Sequence, residues 1–172
     1  PLFDEQQMNL VDGSTATIPI TAELLRQFWG YTDEQVNSTN IVYHSTTHDA
    51  YMNLIDSQPR YYGDEQPVSL IFVTSPSDEE QSYALRQGVT LDIQPIAKDG
   101  FVFITHKDNP VDSLTVDQIQ GIYSGTITNW KQLGGEDRAI QAFQREKNSG
   151  SQTAMEQLVM QGKTMADPPE AR

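Results

Sequence analysis

The sequence contains no cysteine, which excludes thiol catalysis, disulfide bonds and cysteine-ligated zinc. Basic residues are also scarce: 11 Lys and Arg stand against 24 Asp and Glu, for a formal net charge of −13. Nucleic-acid-binding proteins and polybasic membrane-surface proteins need a basic footprint, so we expect neither class here. Long apolar runs are missing too, and no stretch approaches the roughly 18 apolar residues of a membrane span.

The chain does have enough apolar material for a folded core, since 37% of its 172 residues are hydrophobic. This length fits one or two domains. Short apolar runs predict strands at residues 9–11, 41–43, 68–73, 89–93, 101–104 and 139–143. Helical spacing predicts helices around residues 18–28, 50–55, 78–87, 119–123 and 155–159. Strands that alternate with helices predict an α/β fold with a largely parallel sheet.

Two helix starts carry a capping box, the pattern in which Ser or Thr is followed three residues later by Glu or Gln. Ser77 and Glu80 form the first box, and Thr115 and Gln118 form the second. Gly30 and Gly88 follow predicted helices and are typical of helix ends.

Four turns that lie between a strand and a helix are rich in hydroxyl groups or glycine: residues 12–15, 45–47, 74–77 and 149–151. The first N–H groups of a helix are unpaired and carry partial positive charge, which suits an anion. Ser and Thr are also the commonest N-caps, so a single such turn indicates only a helix start. Several turns together favour an anion site at the carboxyl ends of the strands.

Arg145 adds a charged donor just before the last of these turns. Its guanidinium is a planar fork that matches the oxygens of phosphate, sulfate or carboxylate. The alternative is a surface arginine paired with an acid such as Glu146. The segment is not a P-loop, because the string of Gly, four residues and Gly-Lys-Ser/Thr does not occur.

Catalytic and metal-binding patterns are weak. His44 and His48 have the i, i+4 spacing of a metal pair, but no acidic third ligand accompanies them in a motif, so we expect ordinary surface or turn histidines. There is no Gly-x-Ser-x-Gly elbow for a serine hydrolase. A phosphatase remains a weaker alternative that lacks a metal cluster or a nucleophile–base pair. We therefore expect no enzyme activity, no metal and no cofactor.

Three segments, residues 109–115, 122–135 and 145–153, resemble the phosphate-binding subunits of ABC importers. These are extracytoplasmic solute-binding proteins of the type II periplasmic fold. Their signature is an arginine, three residues, then Ser-Gly-Thr. Here Arg145 is followed by Glu146-Lys147-Asn148 and then by Ser149-Gly150-Ser151.

The resemblance implies two α/β lobes with mainly parallel sheets: residues 1–95 form the first, and residues 96–172 form an incomplete second lobe after a crossing segment. It implies that one oxyanion, inorganic phosphate or a similar ion, is held in a hinged cleft and passed to the importer's membrane subunits. The ligand would contact Ser14, Thr15, Ser45, Thr46 and Ser75 from the first lobe, and Arg145, Ser149, Gly150 and Ser151 from the second.

Two departures from the family pattern affect these expectations. The family usually has a Ser-Asp pair after its third strand, whose aspartate accepts the proton of the ligand, whereas this chain has Thr74-Ser75. We therefore expect weaker discrimination between phosphate and sulfate, and a phosphate-sensing or adhesion module without a transport role is the alternative.

The second departure is length, because the chain ends at Arg172 with the second lobe unfinished and begins with Pro1. We expect a piece of a longer protein that lacks a C-terminal segment, with a removed leader and a lipid anchor in the precursor.

Overall fold

A computed structural model describes residues 5–38, 42–61 and 65–167 of the chain. The chain forms two compact units. The first comprises Pro1–Gln94 and Asn148–Gly150, and the second comprises Pro95–Lys147 and Ser151–Arg172. The first unit is therefore discontinuous in sequence, because a short segment far along the chain belongs to it.

The first unit contains a two-stranded parallel sheet made of β1 (Val11–Gly13) and β2 (Leu70–Phe72). In its register Val11 lies opposite Leu70 and Gly13 lies opposite Phe72. The parallel pairing agrees with the sequence prediction, although β2 is shorter than the predicted run at 68–73. The carboxyl ends of both strands meet at one edge, so the turns that follow them are neighbours.

The described part of the first unit also has four α-helices: α1 (Ile18–Trp29), α2 (Asp33–Ser38), α3 (Thr47–Ile55) and α4 (Asp78–Arg86). Two 3-10 helices, Glu5–Leu10 and Thr15–Thr17, flank β1. The apolar faces of these elements form two buried clusters, one with Met8, Val11, Ala22, Leu25 and Val36, the other with Tyr51, Ile55 and Ala84.

The predicted helix boundaries of the first unit are confirmed where they depend on local signals. The Ser77–Glu80 capping box is present in both directions at the start of α4. Gly30 follows α1 in the left-handed conformation, with a φ of 70°, and Gly88 has a φ of 72° after α4. A residue with a side chain would be strained there, so glycine stops each helix.

The regular elements of the second unit are short helices, and most of its described residues lie outside them. The predicted capping box of Thr115 and Gln118 starts α5 (Val116–Tyr123), and a 3-10 helix spans Trp130–Leu133. The helix α6 (Gly150–Ala154) begins at the last residue of the first unit and continues as a π-helix at Met155–Met160. Ile119, Met155 and Met160 form the buried centre of this unit.

Several strand predictions are wrong. Residues 42–43, 89–93, 101–104 and 139–143 form no strand, and Ile41 lies outside the described residues. Among the described residues, the last segment pairs through an isolated antiparallel bridge between Asn129 and Ala139. A strand exists only through hydrogen bonds to a neighbour, so alternating apolar residues are insufficient without a partner in register.

Within residues 5–38, 42–61 and 65–167, no helix combines the length and apolar character needed to cross a bilayer.

Candidate functional site

The turn after β1 is organised by Asp12, which is completely buried. The backbone N–H groups of Gly13 and Ser45 donate to its Oδ1 over 2.7 Å and 2.8 Å. The Ser45 hydroxyl and the Asn53 amide donate to Oδ2 over 2.7 Å and 3.0 Å. These four bonds satisfy a carboxylate that would otherwise be costly to bury, and they join the end of β1 to the start of α3.

Sequence reasoning did not single out Asp12. Its position could have indicated it, because Asp12 is an acid within a predicted apolar strand. Acids are rarely buried without dedicated hydrogen-bond partners, so such a residue predicts a buried polar network.

The two predicted site residues of this turn have different environments. Ser14 is buried, and its backbone N–H donates to Phe72 O over 3.0 Å, so this N–H is already paired. The Ser14 hydroxyl lies 3.4 Å from Thr17 Oγ1. Thr15 is exposed at the first position of the 3-10 helix. Of these two residues, Thr15 is the one that faces solvent.

His44 forms hydrogen bonds that connect the same turn to α1. Its Nδ1 lies 2.8 Å from Ser14 O, and its Nε2 lies 2.9 Å from Thr21 Oγ1. A carbonyl only accepts, so Nδ1 carries the proton and Nε2 accepts from the threonine hydroxyl, which defines one neutral tautomer. Burial lowers the pKa of His44, outweighing the Ser14 hydrogen bond and the Asp12 charge that raise it.

His44 lies in the loop before α3, as expected of a turn histidine, but it is not a surface residue: it is 4% exposed, and both ring nitrogens have buried partners. His48 is a partly exposed residue on α3 whose Nδ1 lies 2.9 Å from Glu80 Oε1. No group of three or more potential metal ligands occurs among the residues that the structure describes.

The start of α3 contains Thr46, whose hydroxyl works as an N-cap. Thr46 Oγ1 accepts from the Asp49 N–H over 3.1 Å and donates to Asp49 Oδ2 over 3.0 Å. The Ser77 hydroxyl caps α4 in the same way by accepting from Glu80 N over 3.2 Å. For these two hydroxyls, helix capping explains the residue type without a ligand.

Thr74, rather than Ser75, is the distinctive residue of the turn after β2. Ser75 is exposed, whereas Thr74 Oγ1 is a buried hydroxyl oxygen with no hydrogen-bond partner within the described part of the chain. The Tyr51 hydroxyl donates to Thr74 O over 2.7 Å and fixes the backbone of the turn. Burial raises the pKa of Tyr51, so this phenol keeps its proton. The family resemblance favours Ser75 over Thr74, because Ser75 stands where the family has its aspartate.

The segment Asn148–Gly150 lies against these turns in the first unit. Asn148 has a positive φ of 65°, and its side-chain amide donates to Glu79 Oε2 over 3.1 Å. A Cβ on Gly150 would lie 2.8 Å from Thr47 Oγ1 and 2.9 Å from Thr74 Oγ1. Only glycine allows this approach, so the Ser149–Gly150 backbone lies next to two threonine hydroxyls.

Arg145 and Ser151, the remaining predicted site residues, belong to the second unit and are exposed. The backbone N–H of Arg145 donates to Gln152 Oε1 over 3.1 Å, which ties its backbone to α6.

The second unit also contains a groove of about 650 Å³, lined by residues that include Ile104, Trp130 and Phe143. None of the predicted site residues lines it.

The structure thus joins four turns of the first unit by direct contacts. Asp12 links the first turn to Ser45, Ser14 links it to the end of β2, and Gly150 approaches Thr47 and Thr74. The joined turns contain hydroxyl groups, the buried Asp12 carboxylate and the first turns of α3 and α4, which include Asp49 and Glu80. The hydroxyl groups are neutral donors that suit an oxyanion.

Comparison with known proteins assigns the class. A family model described as a PBP superfamily domain matches residues 6–171, so the chain belongs to the PBP superfamily. Phosphate-binding protein PstS of Borreliella burgdorferi is 25% identical over 158 residues, which are 91% of this chain and 50% of the relative. Phosphate-binding protein PstS of Staphylococcus saprophyticus is 26% identical over 152 residues, 87% of this chain and 44% of that protein. The chain spans about half the length of these curated relatives.

A solved structure of a similar protein supports the assignment of the fold. It is an X-ray structure from Clostridium perfringens, with bound phosphate, of a protein proposed to be a phosphate ABC transporter substrate-binding protein. The TM-score is 0.51 at 25% identity, and the match covers 94% of this chain and 60% of that one. The resemblance to phosphate-binding subunits and the predicted type II periplasmic fold class are confirmed.

Proposed function

We propose that this chain is part of an extracytoplasmic solute-binding protein that captures inorganic phosphate, or a similar tetrahedral oxyanion, for an ABC importer. Its superfamily and its relatives, which are named phosphate-binding proteins, support this function. The single observation that carries the proposal is the buried Thr74 hydroxyl among the four joined turns, which has no hydrogen-bond partner in the described ranges 5–38, 42–61 and 65–167. An unpaired buried hydroxyl costs free energy, and a ligand oxygen at this place would supply its partner.

In this proposal the first unit contributes neutral donors to the ligand. The proposed donors are the Thr74 hydroxyl and the first N–H groups of α3 and α4. The net charge of −13 gives no long-range attraction for an anion, so affinity depends on these local groups. No bond is made or broken, and the function is binding rather than catalysis.

The remaining predicted contacts enter the proposal through the family resemblance. Arg145 supplies charge-assisted hydrogen bonds, and Ser151 supplies a further hydroxyl or N–H donor. The membrane subunits of an importer are the proposed receivers of the ligand, and a lipid anchor on the precursor is the proposed attachment.

Replacement of Thr74 by valine tests the proposal with a matched change in shape. We expect phosphate affinity to fall about tenfold, because the hydroxyl no longer pairs with a charged ligand. The same variant should unfold at an equal or higher urea concentration, because an unsatisfied buried hydroxyl has been removed. Calorimetry measures the first effect and urea titration the second.

The control is Thr90→Val, since Thr90 is an exposed threonine of the first unit. It should leave phosphate affinity unchanged. Wild-type protein that binds no phosphate would refute the proposed function, and equal affinity in Thr74→Val would remove Thr74 from the site.

A further inference from the structure

We propose that Gln152 is a positioning residue for Arg145: its side-chain amide fixes the backbone from which the guanidinium reaches the oxyanion. This inference rests on the proposed function and adds to the site a residue that acts only through another.

Arg145 lies in a stretch of chain without regular secondary structure. Residues 140–146 form neither helix nor strand, so no sheet ladder within the described part of the chain sets the position of the Arg145 backbone. Its N–H instead donates to Gln152 Oε1 over 3.1 Å. Gln152 thereby supplies the acceptor that a neighbouring strand supplies to a residue in a sheet.

The Gln152 amide is buried and has one favourable orientation. While its Oε1 accepts from the Arg145 N–H, its Nε2 donates to Glu156 Oε1 over 2.9 Å and lies 3.7 Å from Met165 Sδ. A backbone N–H can only donate and a carboxylate can only accept, so a flipped amide would set donor against donor and acceptor against acceptor. Partners at both ends therefore hold the amide in place.

These partners connect Arg145 to the core of the second unit. Gln152 lies on α6, and Glu156 lies one turn further along in the π-helix. Met165 packs against the buried centre of the unit. One side chain thus ties the Arg145 backbone to a helix and, through Met165, to the buried apolar cluster.

Oxyanion binding by a guanidinium is sensitive to this anchoring. The Arg145 side chain is exposed, and two parallel hydrogen bonds to an oxyanion require the planar fork at a defined distance and angle. A fixed backbone restricts the positions that the side chain has to give up when it binds. Loss of the Gln152 amide should therefore lower affinity without removing any contact with the ligand.

Replacement of Gln152 by leucine tests the inference, because leucine has a similar size and no amide. We expect phosphate affinity, measured by calorimetry, to fall about tenfold. In the Arg145→Ala background the same replacement should change affinity less than about twofold, because no guanidinium is left to position. This second comparison separates positioning from a general loss of structure.

Gln120→Leu is the matched control. Gln120 is another buried glutamine of the second unit, and its Nε2 donates to Val159 O over 2.7 Å. Its replacement should lower the urea concentration at the midpoint of unfolding and leave phosphate affinity unchanged. Where binding to Arg145→Ala is too weak to compare, the contrast between Gln152→Leu and Gln120→Leu decides.

Exchange of the hydrogen-bonding pair is a second test, which serves also if Gln152→Leu does not fold. Gln152→Glu keeps an acceptor for the Arg145 N–H but sets a second carboxylate against Glu156, so affinity should fall. Addition of Glu156→Gln restores a donor opposite that carboxylate, and affinity should return to within about twofold of wild type.

The inference would be overturned by wild-type affinity in folded Gln152→Leu, by equal losses in Gln152→Leu and Gln120→Leu, or by equal losses with and without Arg145. Absence of recovery in the exchanged pair would also overturn it. Wild-type affinity in Arg145→Ala would overturn it while phosphate binding stands. Wild-type protein that binds no phosphate would instead overturn the proposed function.

Discussion

Replacement of Arg145 by alanine is expected to weaken phosphate binding at least 100-fold. A guanidinium can give two parallel charge-assisted bonds to a phosphate, and hydrogen bonds to charged groups contribute about 1.5–3 kcal/mol each. The backbone N–H of Arg145 is bound to Gln152 Oε1, so truncation of the exposed side chain leaves the local structure in place. Calorimetric titration with inorganic phosphate at fixed ionic strength measures the loss.

Arg138 provides the matched control for this variant. It is an exposed arginine of the same unit, and its Nε lies 3.4 Å from Glu136 Oε2. Arg138→Ala should change phosphate affinity little, since a single exposed charge acts weakly at a distance in salt. Equal affinities in Arg145→Ala and wild type would show that Arg145 is no ligand residue.

The second large effect is expected at Gly13, where alanine should lower the free energy of unfolding by about 3 kcal/mol. A Cβ there would lie 2.5 Å from Phe72 O, and 2.9 Å from both His44 Nδ1 and Thr17 Oγ1. The closest of these atoms belongs to the backbone of β2 and cannot rotate away. The β1–β2 pair and the turn after it would have to separate, which urea-induced unfolding would detect.

Gly100→Ala is the control, because a Cβ at Gly100 meets nothing within 4 Å. Its free energy of unfolding should stay within about 0.5 kcal/mol of wild type. If the two alanine variants were equally stable, the close packing of the first turn against β2 would be wrong.

The features predicted correctly from the sequence are those with local causes. The capping boxes at Ser77 and Thr115 depend on atoms three residues apart, so the sequence contains the whole interaction. The left-handed glycines at the ends of α1 and α4 are equally local. Strands depend on partners elsewhere in the chain, which explains why 101–104 has strand-like alternation and forms no strand. Val102 and Ile104 are 76% and 92% exposed there.

The contacts among the predicted turns follow only in part from the sequence. The turns at 12–15 and 74–77 come after the two strands of one parallel pair, the turn at 45–47 is joined to the first by Asp12, and of the predicted turn at 149–151 only Ser149 and Gly150 belong to the same unit. That these turns bind a ligand stays a prediction. Which atoms remain for a ligand depends on tertiary contacts that residue types do not encode. The Ser14 N–H is paired with β2, the Thr46 hydroxyl caps a helix, and Thr74 alone among these has a buried hydroxyl without a partner in the described residues.

The most direct measurement of the central claim is a phosphate titration of isotopically labelled chain, followed by the amide resonances of each residue. We expect saturable shifts that are largest in the turns at 12–15, 45–47, 74–77 and 148–150, with smaller shifts for sulfate at equal concentration. Saturable shifts confined to the groove around Trp130, or no saturable shift at all, would contradict the assignment of these turns to one phosphate site.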